Sequence, residues 1–459
     1  MNFSGTHIDR VYFLGIGGIG MSALARYFRR EGVVVSGYDR SSSVVTRALE
    51  AEGITVFYEQ DAAHLAGQDL VIYTPAVPAD APEMVAARTG SFLLKKRAQV
   101  LGELSRTYQT LAVAGTHGKT TTSTMLAHLL RASGIDASAF LGGISRNLHG
   151  NFAHGTSPWM VTEADEYDRS FLQLHPHTGV ITSLDPDHLD IYGSSDMMTE
   201  SYREFANQSQ HVLVHHTVSS TSWASKYPNY GVEAGDYRAE NLRAEGLGVR
   251  FTYRSEAHVI EDLYLPMPGK HNVSNATAAL TLALNCGATP ERLMASLASF
   301  SGIYRRFEVM MHSELLSHVD DYAHHPAEIA AAITAARDYL PGRQVLVVFQ
   351  PHLYSRTRDF AEGFASSLAM ADQVLLMDIY PAREEPIAGV NAQMIASLMP
   401  GNQVQLVARE ALSEQIESKI TLPSVVLTLG AGDIDKEVNS IRDTLVNSAF
   451  VKPQQRNQN

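Results

Sequence analysis

The stretch that decides the fold is Gly115-Thr116-His117-Gly118-Lys119-Thr120-Thr121, between a β-branched run ending at Ala114 and an apolar helical pattern starting at Thr122. A glycine-rich loop in this context turns backbone N–H groups toward an anion, and the helix N-terminus adds positive potential. Lys119 can reach the β- and γ-phosphates of a nucleotide, and the Thr120 hydroxyl can ligate Mg²⁺. Two residues separate the glycines, against four in the general phosphate loop. The stretch predicts a site for a nucleoside triphosphate, and a merely connecting glycine turn is the alternative.

Carboxylates follow the next two strand candidates along the chain. Glu163-Ala164-Asp165-Glu166 ends one strand, and Asp185-Pro186-Asp187-His188-Leu189-Asp190 ends the next. Parallel strands bring their carboxyl ends to one edge of a sheet. We therefore predict Glu163 as a Mg²⁺ ligand beside Thr120, and His188 as a metal ligand or a γ-phosphate contact. The alternatives are a solvated acidic turn and a helix-capping turn.

A second anion-binding pattern, Gly15-Ile16-Gly17-Gly18-Ile19-Gly20, follows the first strand candidate. Its glycines match the dinucleotide fingerprint, and Asp39 ends the second strand, where an acidic residue can bind ribose hydroxyls. A nucleotide-sugar diphosphate satisfies the same physics as a nicotinamide cofactor. An NAD-dependent dehydrogenase and a purely structural turn therefore stay open as alternatives.

Strand candidates alternate with helical patterns along most of the 459 residues. This βαβ rhythm predicts an α/β protein with mostly parallel sheets covered by helices. A fresh strand begins near residue 110, and the rhythm restarts after Gly302–Phe307. We predict three domains: a Rossmann-like domain over 1–108, a central phosphate-loop ATPase-like domain over 109–303, and a C-terminal Rossmann-like domain over 304–459.

The composition excludes several classes of function. Lys and Arg number 36 against 49 Asp and Glu, giving a net charge of −13, which disfavours a nucleic-acid partner. Cys286 is the only cysteine, so an intramolecular disulfide and a four-cysteine zinc site are impossible. No apolar run approaches the roughly 20 residues that span a bilayer, and Met1–Arg10 lacks a signal-peptide core. We expect a cytoplasmic protein with no membrane partner.

Further polar motifs lie where ligand contacts are plausible: Gly269–Asn275, Arg305–Glu308, Asp320–Pro326 and Gln350–Arg358. Asn272 and Asn275 share one face of an alanine-rich helix, where their amides could read a purine edge. Ordinary N-capping is the alternative for these asparagines. The last two motifs follow strands of the third domain, at the edge where open α/β sheets bind ligands. Simple helix capping is the alternative there.

Together these residues resemble the Mur ligases, ATP-dependent amide-forming enzymes of peptidoglycan synthesis. The resemblance extends from about Val11 to Asp433, and it rests on Gly115–Thr121, Glu163–Asp168, Asp187-His188, Gly269–Asn275, Arg305–Glu308, Asp320–Pro326 and Gln350–Arg358. It is strongest to the members that add L-alanine to UDP-N-acetylmuramate, which implies these two substrates with ATP and Mg²⁺ as cofactors. The members that attach a recycled tripeptide are the nearest alternative, and a non-catalytic nucleotide-switched binding module is a more distant one. A monomer or a homodimer is expected.

The resemblance also implies a set of site residues. UDP-sugar contacts fall on Gly17, Gly18, Gly20, Ser22 and Asp39. ATP contacts fall on Gly115, Thr116, His117, Gly118, Lys119, Thr120, Thr121, Asn272 and Asn275, with Mg²⁺ on Thr120, Glu163 and His188. Catalytic roles fall on Lys119, His188, Arg306, Asp321 and His324, and Arg356 contacts substrate. Either His324 or Asp321 is expected to accept the proton of the incoming amine.

Two positions depart from the family pattern. Arg203 is the nearest residue to the place where many members carry a carbamylated lysine, and a guanidinium cannot take up CO₂ in that way. Alanine-adding members generally lack that lysine, so this departure agrees with the narrower resemblance. Leu353 stands where many alanine-adding members have arginine.

Overall fold

The computed structural model describes residues 1–185, 192–382 and 384–448. The chain divides into two compact units: Met1–Leu242 with Phe251–Tyr264 and Asn272–Ser301, and Arg243–Arg250 with Leu265–His271 and Gly302–Asn459. Most of the first two domains expected from the sequence falls in the first unit, except residues 243–250, 265–271 and 302–303. The boundaries at 108/109 and 303/304 stay predictions.

The first sheet is parallel, with five strands in the order β5-β4-β3-β6-β7. Its strands are β3 (Arg10–Leu14), β4 (Val34–Tyr38), β5 (Thr55–Phe57), β6 (Leu70–Tyr73) and β7 (Leu93–Lys96), after a short ribbon of β1 (Asn2–Phe3) and β2 (Thr6–His7). Its helices are α1 (Ile19–Arg30), α2 (Val44–Ala51), α3 (Pro82–Thr89) and α4 (Arg97–Ser105), with a 3₁₀ turn at Ala62–Leu65. β3 lies in the middle, with β4 and β5 added on one side and β6 and β7 on the other. This order confirms the prediction of a Rossmann-like domain.

The second sheet has ten strands in the order β10-β9-β11-β8-β12-β13-β14-β15-β16-β17. They are β8 (Gln109–Ala114), β9 (Ser138–Ser145), β10 (Gly150–Ala153), β11 (Trp159–Glu163), β12 (Thr178–Ile181), β13 (His211–His215), β14 (Asn229–Val232), β15 (Tyr237–Glu245), β16 (Gly248–Arg254) and β17 (Val259–Leu265). The helices are α5 (Lys119–Ala132), α6 (Ser195–Gln208), α7 (His216–Ser219), α8 (Lys270–Asn285) and α9 (Pro290–Ala298), with a 3₁₀ segment at Tyr167–Gln173. β8 pairs in parallel with β11 and β12, so the loop after β8 lies at the carboxyl edge of the sheet.

Helix α1 joins the two sheets through its buried face. Its apolar residues recur at helical spacing, and Leu24 and Phe28 are fully buried. Tyr27 presents its ring to Phe140 of β9 at 5.7 Å and to Phe152 of β10 at 6.3 Å between centroids. The helix that begins at the first glycine loop therefore packs directly on the edge of the sheet that carries the phosphate loop.

The second unit contains a six-stranded sheet in the order β18-β19-β23-β20-β21-β22, parallel except for the β18–β19 pair. Its strands are β18 (Glu308–His312), β19 (Leu316–Asp321), β20 (Gln344–Phe349), β21 (Gln373–Leu376), β22 (Val404–Leu406) and β23 (Ser424–Leu429). Its helices are α10 (Pro326–Tyr339), α11 (Tyr354–Leu368), α12 (Gln393–Ala396), α13 (Leu412–Lys419) and α14 (Asp435–Asn447), with a 3₁₀ turn at Arg409–Ala411. The arrangement confirms a second Rossmann-like domain. In the described part of the chain, no helix combines the length and apolar character needed to cross a membrane.

Candidate active site

The phosphate loop is held open by its two glycines. Gly115 has a φ of +127° and Gly118, which caps α5, has a φ of +82°, a region that side chains other than glycine rarely adopt. A Cβ on Gly115 would collide with the Thr182 hydroxyl, and one on Gly118 would lie 2.6 Å from Asn275 Oδ1. Both conformation and space therefore require glycine at these positions, and the loop can turn its N–H groups toward an anion.

Lys119 lies folded over the loop and is paired with a buried carboxylate. Its Nζ donates to the carbonyl oxygens of Gly115 at 2.7 Å and Thr116 at 3.1 Å, and to Glu166 Oε1 at 2.8 Å. Burial alone would lower the pKa of Lys119, but the charges of Glu166 and Glu163 outweigh it and raise that pKa. Lys119 is therefore a cation near neutral pH, close to the place where phosphate oxygens would compete for it.

Glu166 itself lies in an unfavourable place for a charge. Its side chain is 3% exposed, and burial raises its pKa to about 7, although Lys119 acts in the opposite direction. A carboxyl whose pKa is raised by folding keeps its proton in the folded state while the unfolded chain releases it. The contribution of Glu166 to stability must therefore fall as pH rises from about 4.5 to about 7, and stay constant above that.

We expect Glu166→Gln to remove this pH dependence. The melting temperature of the variant minus that of the wild type should rise between pH 5 and pH 7 and level off above about pH 7.5, measured by scanning calorimetry. Glu103→Gln, on a carboxylate whose pair with Lys95 is partly exposed, is the reference substitution. A flat difference for Glu166→Gln would contradict the assignment.

The side-chain oxygens of Thr120 and Glu163, the expected Mg²⁺ ligands, lie together beside the phosphate loop. Thr120 Oγ1 donates to Glu163 Oε2 at 2.8 Å, and the carboxylate lies against Gly142, where a Cβ would collide with it. Hard oxygen donors of this kind fit Mg²⁺, which keeps several waters and needs few protein ligands. A closed transition-metal site needs three or more ligand side chains around one ion. Among the described residues there is no group of three or more His, Cys, Asp or Glu that could hold a metal ion. His188, the third expected ligand, lies outside the described residues.

The other expected ATP contacts surround the same loop. Thr116 Oγ1 donates to the Asp185 carbonyl at 2.6 Å, and His117 Nε2 lies 3.7 Å from Asp185 Oδ2. Thr121 is buried in the first turn of α5. Asn272 and Asn275 are buried in the first turns of α8, and Asn275 borders the loop at Gly118.

The first glycine loop is shaped by Asp39. Its Oδ2 accepts a hydrogen bond of 2.7 Å from Gly17 N, and a Cβ on Gly17 would lie 2.7 Å from the same oxygen. Gly18 caps α1. Ser22 is fully buried, and its hydroxyl donates to Ile19 O and accepts from the amide of Asn151 in β10. Asp39 and Ser22 therefore hold the loop and helix in place, and their expected contacts with substrate stay predictions.

The expected proton acceptors lie together in the second unit. Both oxygens of Asp321 accept backbone N–H groups, from Phe307 at 2.7 Å and Ala323 at 2.8 Å, and burial raises its pKa to about 6. His324 Nδ1 lies 3.0 Å from Tyr322 O, so this nitrogen carries the proton and Nε2 keeps its lone pair. Burial lowers the pKa of His324 to about 4, and the imidazole is neutral at pH 7.

Two cations accompany this pair. The Arg306 guanidinium lies 5.2 Å from the Tyr322 ring centre, and Arg356 is buried in the first turn of α11. Both lower the pKa of His324 through their charge. Of the two departures from the family pattern, Leu353 is buried with a φ of +72° before α11 in this unit, whereas Arg203 is exposed on α6 of the first unit.

Sequence reasoning missed several residues of the site. Glu166 lies in the acidic run that the sequence singles out, but its pairing with Lys119 is visible only in three dimensions. Gly142 and Asn151 lie on strands β9 and β10, which the sequence did not predict. Arg97 Nη2 binds Asp165 Oδ2 at 2.9 Å, across the two sheets of the first unit. A cation at a helix start, 68 residues from its partner, gives no local signal.

Three family models match most of the chain. The model described as "Mur ligase family, catalytic domain" matches residues 10–109, "Mur ligase middle domain" matches 113–283, and "Mur ligase, glutamate ligase domain" matches 305–432. A UDP-N-acetylmuramate–L-alanine ligase of Cytophaga hutchinsonii is 46% identical over 454 residues, covering 95% of this chain and 97% of the relative. One from Porphyromonas gingivalis strain W83 is 44% identical, covering 95% and 99%.

Solved structures agree in fold. The UDP-N-acetylmuramate-alanine ligase MurC from Thermotoga maritima superposes with a TM-score of 0.83 at 30% identity, covering 96% of this chain and 99% of that one. A murein peptide ligase from Psychrobacter arcticus has a TM-score of 0.70 at 24% identity, covering 96% and 99%, which shows a common fold alone.

Proposed function

This chain belongs to the Mur ligase family, and from that premise we propose that it joins L-alanine to the lactyl carboxylate of UDP-N-acetylmuramate at the expense of ATP. The observation that carries the proposal is the presence of two anion cradles in one compact unit. Gly17–Gly20 opens α1, and Gly115–Lys119 opens α5. The cradle at α1 would bind the diphosphate of the UDP-sugar, and the cradle at α5 would bind the triphosphate of ATP. These are the two phosphorylated substrates of the reaction.

The chemistry explains why ATP is needed. A carboxylate does not react with an amine near neutral pH, because its leaving group would be oxide or hydroxide. Attack of the lactyl carboxylate on the γ-phosphorus forms an acyl phosphate and releases ADP. The amine of L-alanine then attacks the acyl carbon, expels phosphate and loses a proton. Water must be excluded, since it would hydrolyse the acyl phosphate.

The first step is served by the phosphate loop. The N–H groups of the loop and the ammonium of Lys119 stabilise the negative charge on the transferring phosphoryl group. Thr120 and Glu163 would hold Mg²⁺, which when bound neutralises charge on the phosphate oxygens. To reach the phosphates, the Lys119 ammonium must break its hydrogen bonds with the carbonyl oxygens of Gly115 and Thr116. During this movement the Glu166 carboxylate compensates the positive charge of Lys119.

The second step needs an acceptor for the ammonium proton of the amino acid. We favour His324 over Asp321, because both oxygens of Asp321 already accept backbone N–H groups. The neutral imidazole of His324 offers Nε2 as an acceptor. Asp321 instead fixes the turn that precedes His324.

The test is product formation with each amine in turn. With UDP-N-acetylmuramate and ATP·Mg²⁺ fixed, phosphate release should depend on L-alanine far more than on the recycled tripeptide, and mass spectrometry should show the amide product. Phosphate release at full rate with no amino acid would reject ligation. A preference for the tripeptide would assign the chain to the recycling members of the family. Binding of NAD with no effect of the UDP-sugar would favour the dehydrogenase, which leaves Gly115–Thr121 without a role.

A further inference from the structure

A small cavity lies between the two anion cradles, inside the first unit. Its volume is about 150 Å³. One wall is the start of α1, and the opposite wall is the end of β11 and the turn after it. Gly20, Arg97, Glu163 and Asp165 are among the residues that line it. The cavity therefore extends from the last glycine of the diphosphate cradle to the expected Mg²⁺ ligand.

Arg97 stands over this cavity at the first position of α4. Its Nη2 donates to Asp165 Oδ2 at 2.9 Å, and its Nη1 would lie 2.6 Å from a Cβ built on Gly20. The guanidinium thus covers the end of the glycine loop, and a side chain at position 20 would displace it. About one fifth of the side chain is exposed, so a ligand can reach it.

Charge decides what this cavity can accept. Among the described residues that line it, Glu163 and Asp165 are acidic and Arg97 is the one basic side chain. An anion placed beside two carboxylates is repelled unless a cation compensates it. A guanidinium offers a planar fork that matches the two oxygens of a carboxylate, a geometry that an ammonium cannot provide.

We propose that Arg97 binds the carboxylate of the acid substrate in this cavity and exchanges Asp165 for it. The inference rests on the proposed function, since the carboxylate is the lactyl group of UDP-N-acetylmuramate. A diphosphate oxygen offers similar chemistry, but the cavity extends away from the cradle toward Glu163, where the acid must meet the γ-phosphate. Arg97 is then a substrate-binding residue that orients the attacking oxygen.

The experiment compares Arg97→Gln and Arg97→Lys with the wild type in the full chain. Titration calorimetry without ATP gives the affinity for UDP-N-acetylmuramate, and competition gives that for UDP-N-acetylglucosamine, which has the diphosphate but no lactyl carboxylate. We expect Arg97→Gln to weaken UDP-N-acetylmuramate binding about 10- to 100-fold, with the KM for ATP and the affinity for UDP-N-acetylglucosamine changed less than threefold. Arg97→Lys should restore only part of the loss, because the fork is missing.

The neighbouring ion pair is the matched control. Lys96 Nζ binds Asp168 Oδ2 at 3.2 Å, and neither residue lines the cavity. Lys96→Gln breaks a pair between the same two segments and should leave both affinities unchanged. An equal loss in Lys96→Gln, or an unchanged affinity in Arg97→Gln, would overturn the proposal. So would an equal loss for the two UDP-sugars, which would place the diphosphate on Arg97. Failure of the wild type to form the amide is measured separately and bears on the proposed function alone.

Discussion

Lys119→Ala is expected to reduce kcat/KM by about 10²–10³-fold or more, because it removes the cation that stabilises charge on the transferring phosphoryl group. The same substitution removes the Lys119 ammonium from the buried Glu166 carboxyl group, and breaking a buried pair costs about 3–5 kcal/mol. The burial that raises the pKa of Glu166 to about 7 lets this residue take up a proton instead. The loss of stability should therefore be smaller at pH 6 than at pH 8. Phosphate-release kinetics and calorimetry measure the two effects.

A double variant separates loss of catalysis from loss of folding. Lys119→Met combined with Glu166→Gln removes both charges, and a neutral pair of similar volume is tolerated where a lone buried charge is not. We expect its melting temperature to return to within a few degrees of the wild type while activity stays lost. Recovery of turnover in this folded double variant would refute a catalytic role for Lys119.

Glu163→Gln is the second substitution with a large expected effect. It removes the anionic oxygen next to Thr120 and should lower kcat by about 10²–10³-fold, with a higher Mg²⁺ concentration needed for half-maximal rate. Gly142→Ala displaces the same carboxylate while Glu163 itself is kept, because the added methyl group collides with it. We expect that variant to show the same shift in Mg²⁺ requirement and a smaller fall in rate, of about 10- to 100-fold. A Mg²⁺ titration of turnover measures both.

Gly150→Ala is the control for Gly142→Ala. Gly150 lies on the neighbouring strand β10, and nothing lies within 4 Å of a Cβ placed there. The Mg²⁺ requirement of this variant should equal that of the wild type. If Gly142→Ala left the Mg²⁺ requirement unchanged, as Gly150→Ala should, the close approach of Gly142 would not be what positions the Glu163 carboxylate.

Much of the fold could be read from the sequence because its strands are short buried β-branched runs with helices between them. The strand before the phosphate loop ends at Ala114, as expected, whereas α5 begins at Lys119, three residues before the expected Thr122. Strands β9 and β10 escaped prediction, because Gly142 and Gly143 weaken the pattern that marks a strand. The ten-stranded order of the central sheet depends on pairing between distant segments, which local patterns do not encode.

The candidate site divides in a similar way. The phosphate loop, Glu163 and the asparagines of α8 could be predicted because each lies next to an element boundary where a strand or helix exposes backbone groups. The partners of these residues could not. Glu166 reaches Lys119 across 47 residues, and Asn151 reaches Ser22 across 129. Such contacts follow from tertiary packing, and one sequence alone carries no signal for them.

The packing of Tyr27 against Phe140 and Phe152 has a consequence for substrate choice. These buried aromatic contacts hold α1 in place on the sheet that carries the phosphate loop. The fold itself therefore sets the separation between the two anion cradles. The distance from diphosphate to acid within a sugar nucleotide must match that separation. We therefore expect a compound whose acid arm is one methylene longer to be a poorer substrate than the natural acid, even with every side chain of the site unchanged.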